Sequence, residues 1–318
     1  MIKNALRVVA VILVPVCVAI LSHFIFSSGT MEGLWGLMTI GFLFGVPMGM
    51  GALTVFVSKR EDVLSKIYSA LMPWLTVTVF MIITLLFKTE GWGCWVMAMP
   101  LFLALSSIGG LIARHYKLRD KNKLQVSLVL VLLPFVVAPV EHLIGAIPGR
   151  YKADTHIDIH APAGKIWENV TRVREIPASQ DKGWLTKMLD FPRPVKAELD
   201  YTGVGGVREA IFTGGLVFHE TVTEYVAQQK MVFTIKANPY EIPSTTMDEH
   251  IVIGGDFFDV LNGTYELEQL GKDYYRVHLY SHFKLNTTLN FYASVWAQWI
   301  MKDIQGNILQ VLKTRCEN

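Results

Sequence analysis

Cysteine is scarce. Three occur in 318 residues: Cys17 and Cys94 inside apolar runs, and Cys316 close to the end. No two are placed to pair, so a disulfide framework is excluded, and no CxxC spacing points to a metal. The redox compartment stays open, because a periplasmic protein need not carry disulfides. The motifs HExxH, GxSxG, the P-loop and GxGxxG are all missing, which removes the usual zinc-protease, serine-hydrolase and nucleotide-binding readings. No basic patch in the second half suggests nucleic acid. No metal or cofactor is expected, and no internal repeat or low-complexity segment interrupts the chain.

What is present is apolar: 52% of residues are hydrophobic and 18% are charged. The charges are unevenly spread. Residues 1–150 hold 12 Lys+Arg against 6 Asp+Glu, whereas residues 151–318 hold 17 against 21. Such asymmetry argues for two parts in different surroundings, a transmembrane helical domain over 1–148 and a water-exposed domain over 149–318.

A span needs roughly 20 mostly apolar residues to cross about 30 Å of hydrocarbon. Five runs meet that requirement, at 6–26, 34–57, 67–87, 92–113 and 124–147. The first exceeds the apolar core of a signal peptide and is read as a span. Lys3, Arg7, Lys59, Arg60, Lys66, Arg114, Lys117, Arg119, Lys121 and Lys123 fall at one set of span ends, and only Lys88 at the other. The positive-inside rule then places the N-terminus in the cytoplasm and, after five crossings, the C-terminal domain outside it. Gly41, Gly45 and Gly49 recur every fourth residue in the second run, a small-residue face for close helix packing within the bundle or in a homodimer. Glu141 and His142 are read as the ionisable residues inside a span, near its outer end, with Pro134 and Pro139 nearby. Either a relay role or pairing with another helix is open to them. Trp35, Trp74, Trp92 and Trp95 fall near span ends, as an interfacial belt would.

The second half changes period. Residues 147–153 read as a short linker, followed by an alternating strand at 155–160 and a helix opening at Pro162 with Ile166, Trp167 and Val170 on its apolar stripe. A second short helix is expected near 179–189. Strands of period two are expected near 195–201, 207–213, 216–225, 231–237, 257–269 and 274–285, with glycine-bearing turns between several of them. A long helix over 288–315 closes the chain. The order predicts an α+β domain in which a curved antiparallel sheet wraps one long helix, and a gap between them would be an apolar cavity.

The run Ile157-Asp158-Ile159-His160-Ala161-Pro162-Ala163 with Ile166-Trp167 resembles the opening strand and helix start of the START-like, or SRPBCC, superfamily with its helix-grip fold. In particular it is similar to the bacterial branch named for polyketide cyclases and lipid transport. Gly263-Thr264-Tyr265-Glu266-Leu267 resembles the family's penultimate strand. Trp299, Asp303, Leu309 and the stretch 313–315 resemble its closing helix. The resemblance covers about residues 154 to 315, and the membrane half departs from the usual free-standing domain. It implies a deep cavity lined by the inner sheet face and the last helix, and a bacterial cytoplasmic-membrane setting.

Alternation independently points Leu199, Tyr201, Phe212, Phe233, Leu261, Tyr265, Leu279 and Phe283 inward, with Trp296 and Trp299 on the helix side; plain core packing competes with ligand contact for each. The stretch 238–255 is an irregular loop whose Tyr240, Ile242 and Met247 are candidates for membrane contact. Glu220, Glu224 and Asp259 are the carboxylates whose position on a strand could turn them into the cavity. Asp248, Glu249 and His250 cluster in the loop, and His278 and His282 are expected to face outward. None forms a catalytic constellation. The leading expectation is therefore a membrane-anchored domain that binds, and could transfer, a lipid or other hydrophobic small molecule without catalysis. A cyclase- or hydratase-type enzyme in the same cavity is the first alternative. A structural or signalling protein assembling through the glycine face is the second.

Overall fold

A computed structural model of the chain describes residues 2–27, 37–119, 123–237 and 253–318. Two compact units emerge: Met1–Ile147 with Thr287–Leu289, and Pro148–Asn286 with Asn290–Asn318. The loop residues Tyr240, Ile242 and Met247, the cluster Asp248, Glu249 and His250, and Trp35 and Lys121 lie outside the described residues.

The first unit is helical: α1 (Ile2–Ser27), α2 (Val46–Val57), α3 (Arg60–Leu64), α4 (Lys66–Leu86), α5 (Trp92–Leu118) and α6 (Lys123–Ile144). Four of these helices contain stretches long and apolar enough to cross a membrane: Arg7–Ser27, Lys66–Leu86, Trp92–Leu118 and Leu124–Ile144. The second expected span is different. A π-helical turn, Gly41–Gly45, runs straight into α2. Together they form a shorter apolar helix, Gly41–Val57, about 26 Å long at 1.5 Å per residue. Pro47, which has no N–H to give the preceding turn, stands just after the wider winding.

This short helix is the central one. It packs against α1, α4, α5 and α6, and its residues are buried from Pro47 through Ala52 to Val55 with few interruptions. A helix buried all round is a core element. Its ends are held by charged side chains from its neighbours. Glu141 of α6 accepts from the Ile40 N–H at 2.9 Å and the Gly41 N–H at 3.1 Å, and the Thr39 hydroxyl takes the next N–H, that of Phe42. At the other end the Lys117 ammonium of α5 donates to the carbonyls of Val55, Phe56 and Ser58. Each charge is opposite in sign to the dipole end it meets, and both satisfy groups that have no partner inside the helix.

The glycine face is consumed within the chain. A Cβ on Gly41 would come 2.8 Å from the Ala138 nitrogen, one on Gly45 2.8 Å from the Pro134 ring, and one on Gly49 3.2 Å from the Leu130 oxygen. All three contacts are with α6, so of the two uses expected of this face, packing within the bundle or a homodimer, these glycines serve the first. A second close approach joins α2 to α5, where a Cβ on Gly51 would overlap the Ser106 carbonyl and one on Gly109 that of Met48.

Two more expectations need correction. His23, near the end of α1, is also a buried ionisable group; its Nε2 lies 2.9 Å from the Glu90 carboxylate. His142 is exposed, unlike its neighbour Glu141. Of the expected tryptophan belt, Trp74 and Trp92 are exposed, but Trp95 is buried between Phe80 and Phe102 and donates to the Thr84 hydroxyl.

The second unit has the helix-grip fold. Its strands are β1 (Gly149–His160), β2 (Pro194–Leu199), β3 (Val207–Phe212), β4 (Val217–Val226), β5 (Lys230–Lys236), β6 (Phe258–Gly271) and β7 (Tyr274–Leu285). They form one antiparallel sheet in the order β1-β7-β6-β5-β4-β3-β2. Two short helices, α7 (Ala163–Thr171) and α8 (Trp184–Met188), follow β1, and α9 (Asn290–Glu317) closes the chain. The expected linker is mostly strand: Gly149, Arg150, Tyr151 and Lys152 pair with Leu285, Lys284, Phe283 and His282. Its polar residues had masked a period of two, in which Ala153 is fully buried and Arg150 and Lys152 face away. α9 packs chiefly on β1 and β7. The contact is fixed by Gln305, which accepts from the Thr155 hydroxyl at 2.9 Å and donates to the Ala153 carbonyl and the Ser281 hydroxyl.

Candidate functional site

The inner sheet face is largely apolar; Ser281, bonded to Gln305, and one charge pair are polar exceptions. Leu199, Phe212, Phe233, Tyr265, Leu279 and Phe283 are all buried there. Phe233 and Tyr265 sit on neighbouring strands with ring centres 6.0 Å apart, and Phe212 meets Phe218 edge-on at 4.9 Å. Gly263 makes room for the Phe233 ring, since a Cβ there would come within 2.5 Å of it. Close backbone approach is a usual reason for glycine inside a strand.

Into this surface β3 and β4 insert a charge pair. Arg208 and Glu220 are directly opposed in the register, 3% and 4% exposed, and joined by a 2.5 Å bond from Nη1 to Oε2. The guanidinium lies 5.3 Å from the centre of the Phe233 ring and 5.8 Å from that of Tyr265. Burial pushes the Glu220 carboxyl up, against the pull of Arg208. Burial likewise pushes the Tyr265 phenol up, with Arg208 opposing. For Arg208, burial works against the charge, but Glu220 and Tyr265 together hold it above its ordinary range. The Nε–H of Arg208 is buried and has no hydrogen-bond partner among the described residues. A buried donor left unmade costs about 1–3 kcal/mol, more when it belongs to a charged group. This corner can therefore accept an oxygen acceptor: a carboxylate, a carbonyl or a hydroxyl.

Not every expected cavity residue reaches it. β2 ends at Leu199 and the chain turns, so the alternation stops and Tyr201 is 63% exposed. Leu261 falls in a β-bulge between Val260 and Asn262, which flips the parity: Val260 is the buried residue and Leu261 is half-buried. A second bulge, between Val222 and Glu224, turns Glu224 outward, where it pairs with Lys230 at 3.0 Å. Asp259 lies opposite Val260 in the alternation and beside its register partner Lys284, half-buried. Burial raises its pKa, and the backbone N–H of Val260 opposes. Trp296 and Trp299 look away from the sheet, because the sheet-facing positions of α9 are Met301, Gln305, Leu309 and Leu312. His278 and His282 are on the outer face beside Glu268 and Asn262.

Arg208 was not among the residues singled out from the sequence. The signal was present, since the alternation that turns Phe212 inward also turns Ala210 and Arg208 inward. Among the described residues no cluster of His, Cys, Asp and Glu is set to hold a metal.

No family model matches the chain, and no curated protein matches it. Solved structures do. Norcoclaurine synthase from Thalictrum flavum is 13% identical, with 52% of this chain and 93% of that one covered at a TM-score of 0.33. The protein TTHA0849 from Thermus thermophilus is 14% identical, with 52% and 97% covered and a TM-score of 0.33. Aha1 from Colwellia psychrerythraea is 18% identical, with 52% and 96% covered and a TM-score of 0.26.

Proposed function

We propose that the chain is an integral membrane protein whose C-terminal domain holds a lipid or other hydrophobic small molecule against the inner face of its sheet. Arg208 would meet an oxygen of that molecule. The observation that carries this reading is the buried Arg208–Glu220 pair, set among Phe233 and Tyr265 with one guanidinium N–H unpartnered among the described residues. Replacing a buried ion pair by apolar residues is often neutral or stabilising, so packing alone gives little reason to keep one here. Apolar burial would supply most of the affinity, at roughly 25 cal/mol per Å², and the polar contact the orientation.

The test is extraction of native molecules from the full chain purified in detergent, followed by mass spectrometry. A defined oxygen-bearing apolar species is expected with the native protein and absent from an R208M/E220L variant that remains folded at the temperature of extraction. Recovery of no defined species from the native protein would overturn the reading.

Basic residues at alternate helix ends support a cytoplasmic N-terminus and, in a bacterial cytoplasmic membrane, an extracytoplasmic domain. The side depends on whether Gly41–Val57 is a crossing, since with it the crossings are odd in number. Labelling of Lys272→Cys by a membrane-impermeant maleimide on intact cells is the expected result. Labelling only after lysis would place the domain inside.

A second reading is favoured by Glu220. A buried carboxyl with a raised pKa is a candidate acid or base for a cyclase- or hydratase-type step. Of the three carboxylates considered, it alone is on the inner face. Turnover of the extracted molecule by the native protein, abolished by Glu220→Gln with binding retained, would favour catalysis over carriage.

A further inference from the structure

A groove of ≈ 590 Å³ lies on the side of α9 away from the sheet, between α8 and α9. Its walls include Trp184, Met188, Trp296 and Trp299, rimmed by Lys182 and Lys302. Trp184 is 68% and Trp299 54% exposed. Trp296 and Trp299 meet edge-on at 5.4 Å. The apolar surface runs on along α9 through the exposed Val295 and Phe291, at four-residue steps from Trp299 that keep one helix face. Contiguous exposed apolar surface of this kind marks an interaction site.

The polar groups divide by sign. The acids are engaged internally: Asp303 accepts from the N–H and hydroxyl of Thr186, and Asp181 accepts from Asn307 and Arg193. They clamp α8 and its approach to α9. The ammonium groups of Lys182, Lys187 and Lys302 are exposed and make no ion pair or hydrogen bond among the described residues. Residues 151–318 carry 17 Lys+Arg against 21 Asp+Glu, so this basic rim stands out on an acidic domain.

We propose that this tryptophan and lysine face beds into the surface of an anionic bilayer. Indole rings settle at the headgroup level, and lysines near an anionic surface add electrostatic attraction. The rest of the domain, net acidic, is repelled by the same surface, so the face selects one orientation. Reach is not limiting: β1 starts at Gly149, five residues after α6 ends at Ile144. The proposal rests on the reading of the apolar helices as membrane spans, and the test separates the two.

The full chain, with Cys17, Cys94 and Cys316 replaced by alanine, is spin-labelled at Met188→Cys and, separately, at Thr78→Cys on the exposed face of α4. Each is reconstituted in nanodiscs of phosphatidylcholine with or without phosphatidylglycerol. Collision with oxygen is compared with collision with a water-soluble nickel chelate. The Met188→Cys label is expected to shift severalfold toward oxygen in the phosphatidylglycerol discs only, and the shift to vanish in K182E/K302E. Equal exposure to the chelate in both discs, or shielding that grows with the number of chains per disc, overturns the proposal. The Thr78→Cys label should favour oxygen in both discs. If it does not, the spanning reading itself fails.

Discussion

Lys117 and Glu141 stand on different helices yet hold opposite ends of the same third helix. Three carbonyls at the C-terminal end of α2 converge on the Lys117 ammonium, and two N–H groups at the start of its π-helical turn converge on Glu141. Removing either leaves buried backbone groups unmade, at about 1–3 kcal/mol. Lys117→Met is expected to lower the stability of the helical unit by that amount. Glu141→Gln keeps one acceptor and loses the charge, so about 1 kcal/mol is expected. Thermal unfolding in detergent, followed by circular dichroism, checks both; an unchanged midpoint in Lys117→Met would contradict the capping role.

Close helix approach sets a second expectation. Gly51→Ala and Gly109→Ala should each destabilise the helical unit by about 1–3 kcal/mol through overpacking, although alanine is the better helix former by about 1 kcal/mol. The measurement is the same melt. Because Gly41, Gly45 and Gly49 meet α6, a bulky residue at Gly45 should lower stability without changing oligomeric state. Loss of an existing dimer by Gly45→Leu at unchanged stability would show that the face serves a partner instead.

The buried pair gives a third. Arg208→Met leaves the Glu220 charge uncompensated and should cost about 3–5 kcal/mol, whereas R208M/E220L should recover most of it. The double-mutant cycle is read from urea unfolding of the full chain. If the double variant is as unstable as the single ones, the pair is structural and its link to a ligand is lost.

Acid titration gives a fourth. Asp158 and Arg276 oppose one another across β1 and β7, joined by two bonds of 2.7 and 3.1 Å. The hydrogen bond from Arg276 holds the Asp158 carboxyl below the usual carboxylate range. The folded domain therefore binds fewer protons there than the unfolded chain does. The stabilisation is complete above the ordinary aspartate value and is lost as pH falls through the lowered one. The pair is about one-third exposed, so solvent screening limits it to a small amount. Arg276→Leu should lower stability by that amount at neutral pH, and the gap to the native chain should close as pH falls through the lowered Asp158 value. A gap that persists in acid would assign the loss to packing.

Most of the second unit was legible because its signals are local. Periods of two and of 3.6, turn glycines and the opening of α7 at Pro162 place the elements within a few residues. Two of the misplaced residues share one cause, whereas Tyr201 is exposed because β2 ends at Leu199. Bulges at Val222/Glu224 and Val260/Asn262 insert a residue that the alternation cannot anticipate, and each reverses the face of the residues after it. Glu224 and Leu261 were misplaced for that reason, and Arg208 was overlooked because a charged residue was not expected on a buried face. In the helical unit, hydropathy finds the apolar runs but is blind to which helix is central. The partners of Glu141 and the occupant of the glycine face are facts of packing between distant segments, which no window along the chain contains.

The central place of α2 has a consequence in time. Lys117 follows Val55 by 62 residues and Glu141 follows Ile40 by 101. During synthesis the short helix emerges well before either of the side chains that close its ends, and before α5 and α6, against which its glycines pack. Its native setting is assembled by the last two helices of the unit to be made. A chain cut after α4 would carry α2 with its ends open and its glycine faces bare.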